Sequence, residues 1–165
     1  MGFHSITTAT LTSAFSIFSL GAMACSGSPD WTPQTGFDEA VEVFRAQVTK
    51  VELDDYVPTE GSFRKPIFVN VYYSLKETIK GYPKPEGPIL TTVLYFGGCG
   101  VPIAVGMDYV FFVDRFDEEK PEGFESDASG YISIFSTQLL SPNEEVAKST
   151  MAKVKVLASS QKTPQ

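Results

Sequence analysis

Histidine is all but missing from this chain: the one His of the 165 residues is His4. Without imidazole the chain lacks the commonest general base and the commonest metal ligand. Cysteine is equally scarce, with only Cys25 and Cys99. Neither a G-x-S-x-G elbow nor a pair of spaced catalytic carboxylates stands out, and Gly97-Gly98-Cys99-Gly100 lacks the lysine and following helix of a phosphate loop. These gaps argue against an enzyme and call for no cofactor. Basic runs are missing too, and the net charge of -7 disfavours nucleic acid and anionic membranes as partners.

No Asp, Glu, Lys or Arg precedes Asp30. The apolar run before it, with Leu11, Phe15, Ile17, Phe18 and Leu20, is short and interspersed with Ser and Thr, so it does not read as a membrane span. It reads as an export leader, residues 1–24, although it has no basic residue at its start. Ala22-Met23-Ala24 supplies the small residues of a cleavage site, and cleavage makes Cys25 the new N-terminus of a secreted, extracellular protein. Two cysteines in an oxidising compartment most simply pair, so a Cys25–Cys99 disulfide is expected.

What is present is a globular composition, 42% hydrophobic and 13% aromatic. That fits one domain over residues 25–158 followed by a disordered polar tail, 159–165. Residues 41–53 alternate apolar and polar side chains with one slip between Val48 and Val51, which predicts a long bulged strand. In residues 67–76, Ile67, Val69, Val71, Tyr73 and Leu75 share one face, and Asn70, Ser74 and Lys76 the other. Residues 89–96, 108–114 and 130–137 give three further β-branched and aromatic runs, making five strands. Ser141-Pro142-Asn143-Glu144 predicts a helix over 142–158, with Ser141 as cap and Val146, Met151, Val154 and Leu157 as its apolar positions. The fold class expected is mainly β: a closed or partly closed five-stranded barrel like the oligonucleotide/oligosaccharide-binding (OB) fold, with a C-terminal helix, and an open sandwich as the alternative. The acidic stretch from Asp114 to Asp127 does not have the alternation of a calcium loop and reads as a solvated connection. Trp31 reads as packing over one barrel end.

Three stretches then stand out: C-S-G-S-P at 25–29, F-D-E-A-V-E-V-F-R-A-Q-V at 37–48, and C-G-V-P-I-A-V-G at 99–106. Together they resemble the inhibitory domain of the tissue inhibitors of metalloproteinases, whose mature chain begins with cysteine and whose netrin-like domain is an OB barrel. Gly27 and Asp38 stand where that family usually has further cysteines. The resemblance implies that the free amine and carbonyl of Cys25 chelate the zinc of a target metalloprotease, filling the coordination position otherwise held by water. An α-amino pKa of roughly 7.7 to 8.0 makes the unprotonated amine accessible near neutral pH. It further implies that Ser26 points into the protease pocket, that Gly27, Ser28 and Pro29 run along the cleft, and that Gly98, Cys99, Gly100, Val101 and Pro102 form a second edge. The protein partner is then a zinc metalloprotease, and the inhibitor is expected to be a monomer.

Two other readings stay open. Ala22-Met23-Ala24-Cys25 loosely resembles a bacterial lipobox, in which Cys25 would be lipidated and the protein anchored in the cell envelope. Acylation consumes the sulfur and blocks the amine, so it excludes the chelating mechanism. Alternatively an OB-type module uses its barrel face for another protein or a sugar.

Overall fold

The computed structural model describes residues 32–54, 68–92, 100–114, 127–134 and 136–160. Residue order translates into α1 (Pro33–Glu39), β1 (Glu42–Leu53), β2 (Phe68–Lys80), β3 (Glu86–Thr92), β4 (Asp108–Asp114), β5 (Tyr131–Ile132), β6 (Gln138–Leu139) and α2 (Glu144–Ser160). The sheet runs β1-β2-β3-β5-β4 and returns to β1 through the β1–β4 pairing, which closes a five-stranded barrel. All pairings are antiparallel except β3 with β5, which meet in parallel at Leu90 and Tyr131. β6 is a short addition on the outer edge of β4, pairing Tyr109 with Leu139 and Val110 with Gln138.

Alternation on the strands builds two cores. Side chains pointing inward, including Phe44, Ala46, Val48, Val71, Tyr73, Ile89, Tyr109, Phe111 and Val113, fill the barrel. Phe44 lies 4.9 Å from Tyr73 and 5.7 Å from Phe111, centroid to centroid, and the Tyr109 and Phe111 rings stack at 5.4 Å. Their neighbours in sequence, Val43, Val110 and Phe112, point outward and are sealed by Phe37 of α1 and by Met151 and Val154 of α2. β4 is therefore buried on both faces, as its unbroken run Tyr109–Val113 requires.

The bulge expected in β1 is present as a register shift between Val48 and Lys50 against β2. β2 runs four residues past its expected end, to Lys80, because its far end turns outward under α2, where Ile79 packs. The run at 130–137 forms only a two-residue strand before a turn. α1 was not expected from periodicity, since seven residues are too few to show any. It is specified by its ends instead. Thr32 and Thr35 form a reciprocal capping box with Pro33 in the first turn. At the other end the Lys80 ammonium donates to the Phe37 and Asp38 carbonyls at 2.7 and 2.9 Å, where a helix C-terminus favours a cation.

α2 starts later than expected. The carbonyl oxygen of the Asn143 side chain accepts from the N–H groups of Glu145 and Val146, at 3.0 and 3.2 Å, while Ser141 caps only the N–H of Asn143. Its buried side chains are Met151 and Val154, and the expected apolar position Val146 is 51% exposed, with Ala147 packing instead. The helix continues to Ser160, two residues into the stretch expected to be disordered. The expected disulfide is corrected: no disulfide distance is found for the two cysteines. Cys25 and Cys99 both lie outside the described residues, which contain no cysteine of their own. Residues 1–24, expected to be an export leader, and Trp31 also lie outside them. Among the described residues no helix is long and apolar enough to cross a membrane.

Candidate functional site

Beyond its bulge β1 has left β4 behind, because the β1–β4 pairing ends at Gln47 opposite Asp108. Among the described residues, 50–53 pair only with β2, from Lys50 with Tyr72 to Leu53 with Val69, and the same stretch of β2 pairs on its other side with β3, so a three-stranded ribbon with β1 at its edge forms one end of the barrel. The segment leading into β4 fills the angle between ribbon and barrel. Gly106 N–H donates to the Val48 carbonyl at 2.8 Å and Val48 N–H donates to the Met107 carbonyl at 3.0 Å. The Gln47 side-chain amide adds a bond to the Gly106 carbonyl at 2.8 Å. Gly106 has a φ of 85°, a backbone conformation that glycine adopts without a Cβ penalty and that turns the chain into β4.

The same segment is fastened from inside. The Tyr109 hydroxyl donates to the Pro102 carbonyl at 3.1 Å and accepts from Ala104 N–H at 2.9 Å, which knots the loop around one buried ring. Val101 N–H donates to the Thr91 hydroxyl, and the Val101 side chain is 9% exposed within the barrel core. Thus Val101 plugs the barrel, Gly100 is half-buried and Pro102 is exposed. These three are the expected site residues that the structure describes, and it brings them together at one end of the barrel. Cys25, Ser26, Gly27, Ser28, Pro29, Gly98 and Cys99 lie outside the described residues.

Val105 of this loop is 60% exposed, and on the stretch of β1 beyond the Val48 anchor Leu53 is 68% and Val51 36% exposed. Val51 stands three residues along β1 from the Val48 anchor, about 10 Å away. On the outer face of the ribbon the Lys50 ammonium lies 5.1 Å from the Tyr72 ring centroid and pairs with Glu52. Asn70 beside them donates to the Asp54 carboxylate at 2.8 Å.

Sequence reasoning missed a second feature, where β4 begins. Asp108 accepts from Arg45 at 2.6 and 3.1 Å and from Lys76 at 2.7 Å. Burial pushes its carboxyl up, but the two hydrogen-bonded cations outweigh this and hold it below its ordinary value of 3.8. Three residues at unrelated sequence positions leave no local motif to find. The cluster opens on a groove of about 740 Å³ under α2, lined by Met107, Leu140, Met151 and Lys155 among others. Lys155 pairs with Glu77 at 2.5 Å and Lys148 with Glu144 at 2.7 Å. A charged ligand entering there would have to break an existing ion pair, so the groove is the weaker candidate.

Among the described residues no group of three or more His, Cys, Asp or Glu is arranged to hold a metal ion. In the zinc reading the metal belongs to the protease. No protein-family model matches the chain, and no curated protein matches it.

Proposed function

We propose that the chain is exported, processed to Cys25, and inhibits a zinc metalloprotease by presenting the Cys25 amine and carbonyl to the catalytic metal. The observation that supports this reading is the barrel end itself: a loop fastened on both sides that carries exposed Pro102 and Val105, and the end of β1 running on from the Val48 anchor with exposed Val51 and Leu53. Such an apolar, rigid edge suits a protein partner, because little ordering entropy is lost when it docks. The zinc ligands in this mechanism are main-chain atoms, so it requires a free Cys25 amine but no Cys25–Cys99 disulfide. Protein beginning at Cys25 with a free amine should inhibit members of a zinc-metalloprotease panel. The same protein with an acetylated amine, or with one residue added before Cys25, should fold identically by circular dichroism and lose inhibition. Inhibition that survives the block overturns the mechanism.

A second reading rests on the outer face of the ribbon, where Tyr72, Lys50, Asn70 and Asp54 offer a ring and polar groups of the kind that hold a sugar. It predicts binding to a glycan array that Tyr72→Ala abolishes and acetylation of Cys25 leaves intact.

A further inference from the structure

The ribbon has an edge as well as two faces, and the hydrogen-bond register defines it. Asp54 N–H donates to the Phe68 carbonyl at 2.9 Å, and the register runs back through Glu52 with Asn70 to Lys50 with Tyr72. In an antiparallel ladder hydrogen-bonded pairs alternate with non-bonded ones. Asp54, Glu52 and Lys50 therefore direct their backbone groups at β2, whereas Val51 and Leu53 direct theirs away from it. On that outward side β4 has already ended, and Gly106 and Met107 reach only as far as Val48. Among the described residues no strand pairs with this edge beyond the bulge.

An open edge recruits another strand, and its side chains decide which one. We propose that it pairs with the same edge of a second copy of this chain, antiparallel about Val51, so that two barrels join through β1. The pattern is self-complementary. Centring on Val51 sets the outward N–H and C=O of each Val51 against those of the other protomer, which is a hydrogen-bonded pair on the two-fold axis. The flanking positions then fall in non-bonded register, where side chains approach most closely: Lys50 of one protomer opposite Glu52 of the other, twice. Lys50 and Glu52 already share the outer face as an intrachain pair, so dimerisation brings four charges together in a square of alternating sign. On the inner face the half-exposed Val51 side chains become cross-strand neighbours. The Gly106–Met107 contact limits the shared ladder to the short stretch beyond the bulge, which makes this a small interface and a dimer that dissociates on dilution. The inference is separate from the protease reading, since neither the Cys25 amine nor any zinc enters it, and it replaces the expected monomer.

Sedimentation equilibrium over a concentration series tests it, using the full chain expressed with its leader and recovered after processing. The wild type should shift from monomer to dimer as concentration rises. Lys50→Glu sets two carboxylates against each other at both contacts, and Glu52→Lys sets two ammonium groups against each other, so each variant alone should be monomeric. An equimolar mixture of the two should dimerise again, because only the mixed pair restores opposite charges at both contacts. Mixing does not restore the intrachain Lys50–Glu52 pair, so recovery cannot come from repair of the ribbon. Should either single variant fail to fold, the double swap K50E/E52K, which keeps the intrachain pair with its signs reversed, should dimerise like the wild type. A wild type that stays monomeric throughout, variants that dimerise alone, or a mixture that stays monomeric overturns the proposal.

Discussion

At the scale of single residues, Asp108 and Tyr73 are the two whose titration the fold controls most visibly. The native carboxyl of Asp108 is held below its ordinary 3.8, so its contribution is fully present above that value and is lost as pH falls through the lowered native value. Asp108→Asn should cost about 1.5 to 3 kcal/mol near neutral pH, since the three charge-assisted hydrogen bonds from Arg45 and Lys76 weaken together. Urea unfolding as a function of pH should show the difference between variant and wild type shrinking in acid. Tyr73 behaves oppositely. Burial, aided by the charge of Glu42, pushes its hydroxyl from 10 up to about 12, while the group donates to the Lys84 carbonyl at 3.3 Å. The neutral form is favoured in the folded protein, so this stabilisation is present below pH 10 and drains away between 10 and about 12. Tyr73→Phe should therefore flatten the alkaline limb of the stability profile, read by circular dichroism during a base titration. Neither role was legible in the sequence. Arg45, Lys76 and Asp108 meet only because β1 pairs with β4 on one side and with β2 on the other.

At the scale of elements, what could be read beforehand was whatever repeats. The slip between Val48 and Val51 is visible because a bulge breaks a period of two, and the apolar run from Tyr109 to Val113 is visible because both of its faces are covered. What could not be read was set by ends and neighbours. α1 is written in its cap residues, and the start of α2 was misplaced by two residues because Ser141 and Asn143 are both competent caps and only geometry chooses between them. Of the fastened barrel-end loop, the sequence singled out only the stretch Gly100 to Pro102. Nothing in C-G-V-P-I-A-V-G announces that Val101 turns inward or that the ring of Tyr109 ties the loop. Because α1 depends so heavily on its two termini, Thr32→Ala should destabilise the protein by about 1 kcal/mol. Lys80→Met, which keeps the stem over Phe37 but removes the cation from two carbonyls, should cost about 1 to 2 kcal/mol. Both are measurable as shifts in the midpoint of chemical unfolding. Val154→Ala, by removing the contact of α2 with the outer core, should cost about 1 to 3 kcal/mol.

The whole molecule is a barrel closed by unequal seams. β1 is held by β2 along most of its length and by β4 over Glu42 to Gln47. Among the described residues the circuit between β3 and β4, by contrast, runs through the two residues of β5, where the partner of Leu90 is Tyr131 and Leu90 N–H donates to the Gly130 carbonyl at 2.9 Å. Gly130 permits even this much, since a Cβ there would stand 2.2 Å from the Asp114 carbonyl oxygen. A cylinder stitched so lightly along one line should breathe there. In deuterium exchange the Leu90 and Ile132 amides should lose protection by local opening, while those of Phe44 to Gln47 exchange only when the entire domain unfolds.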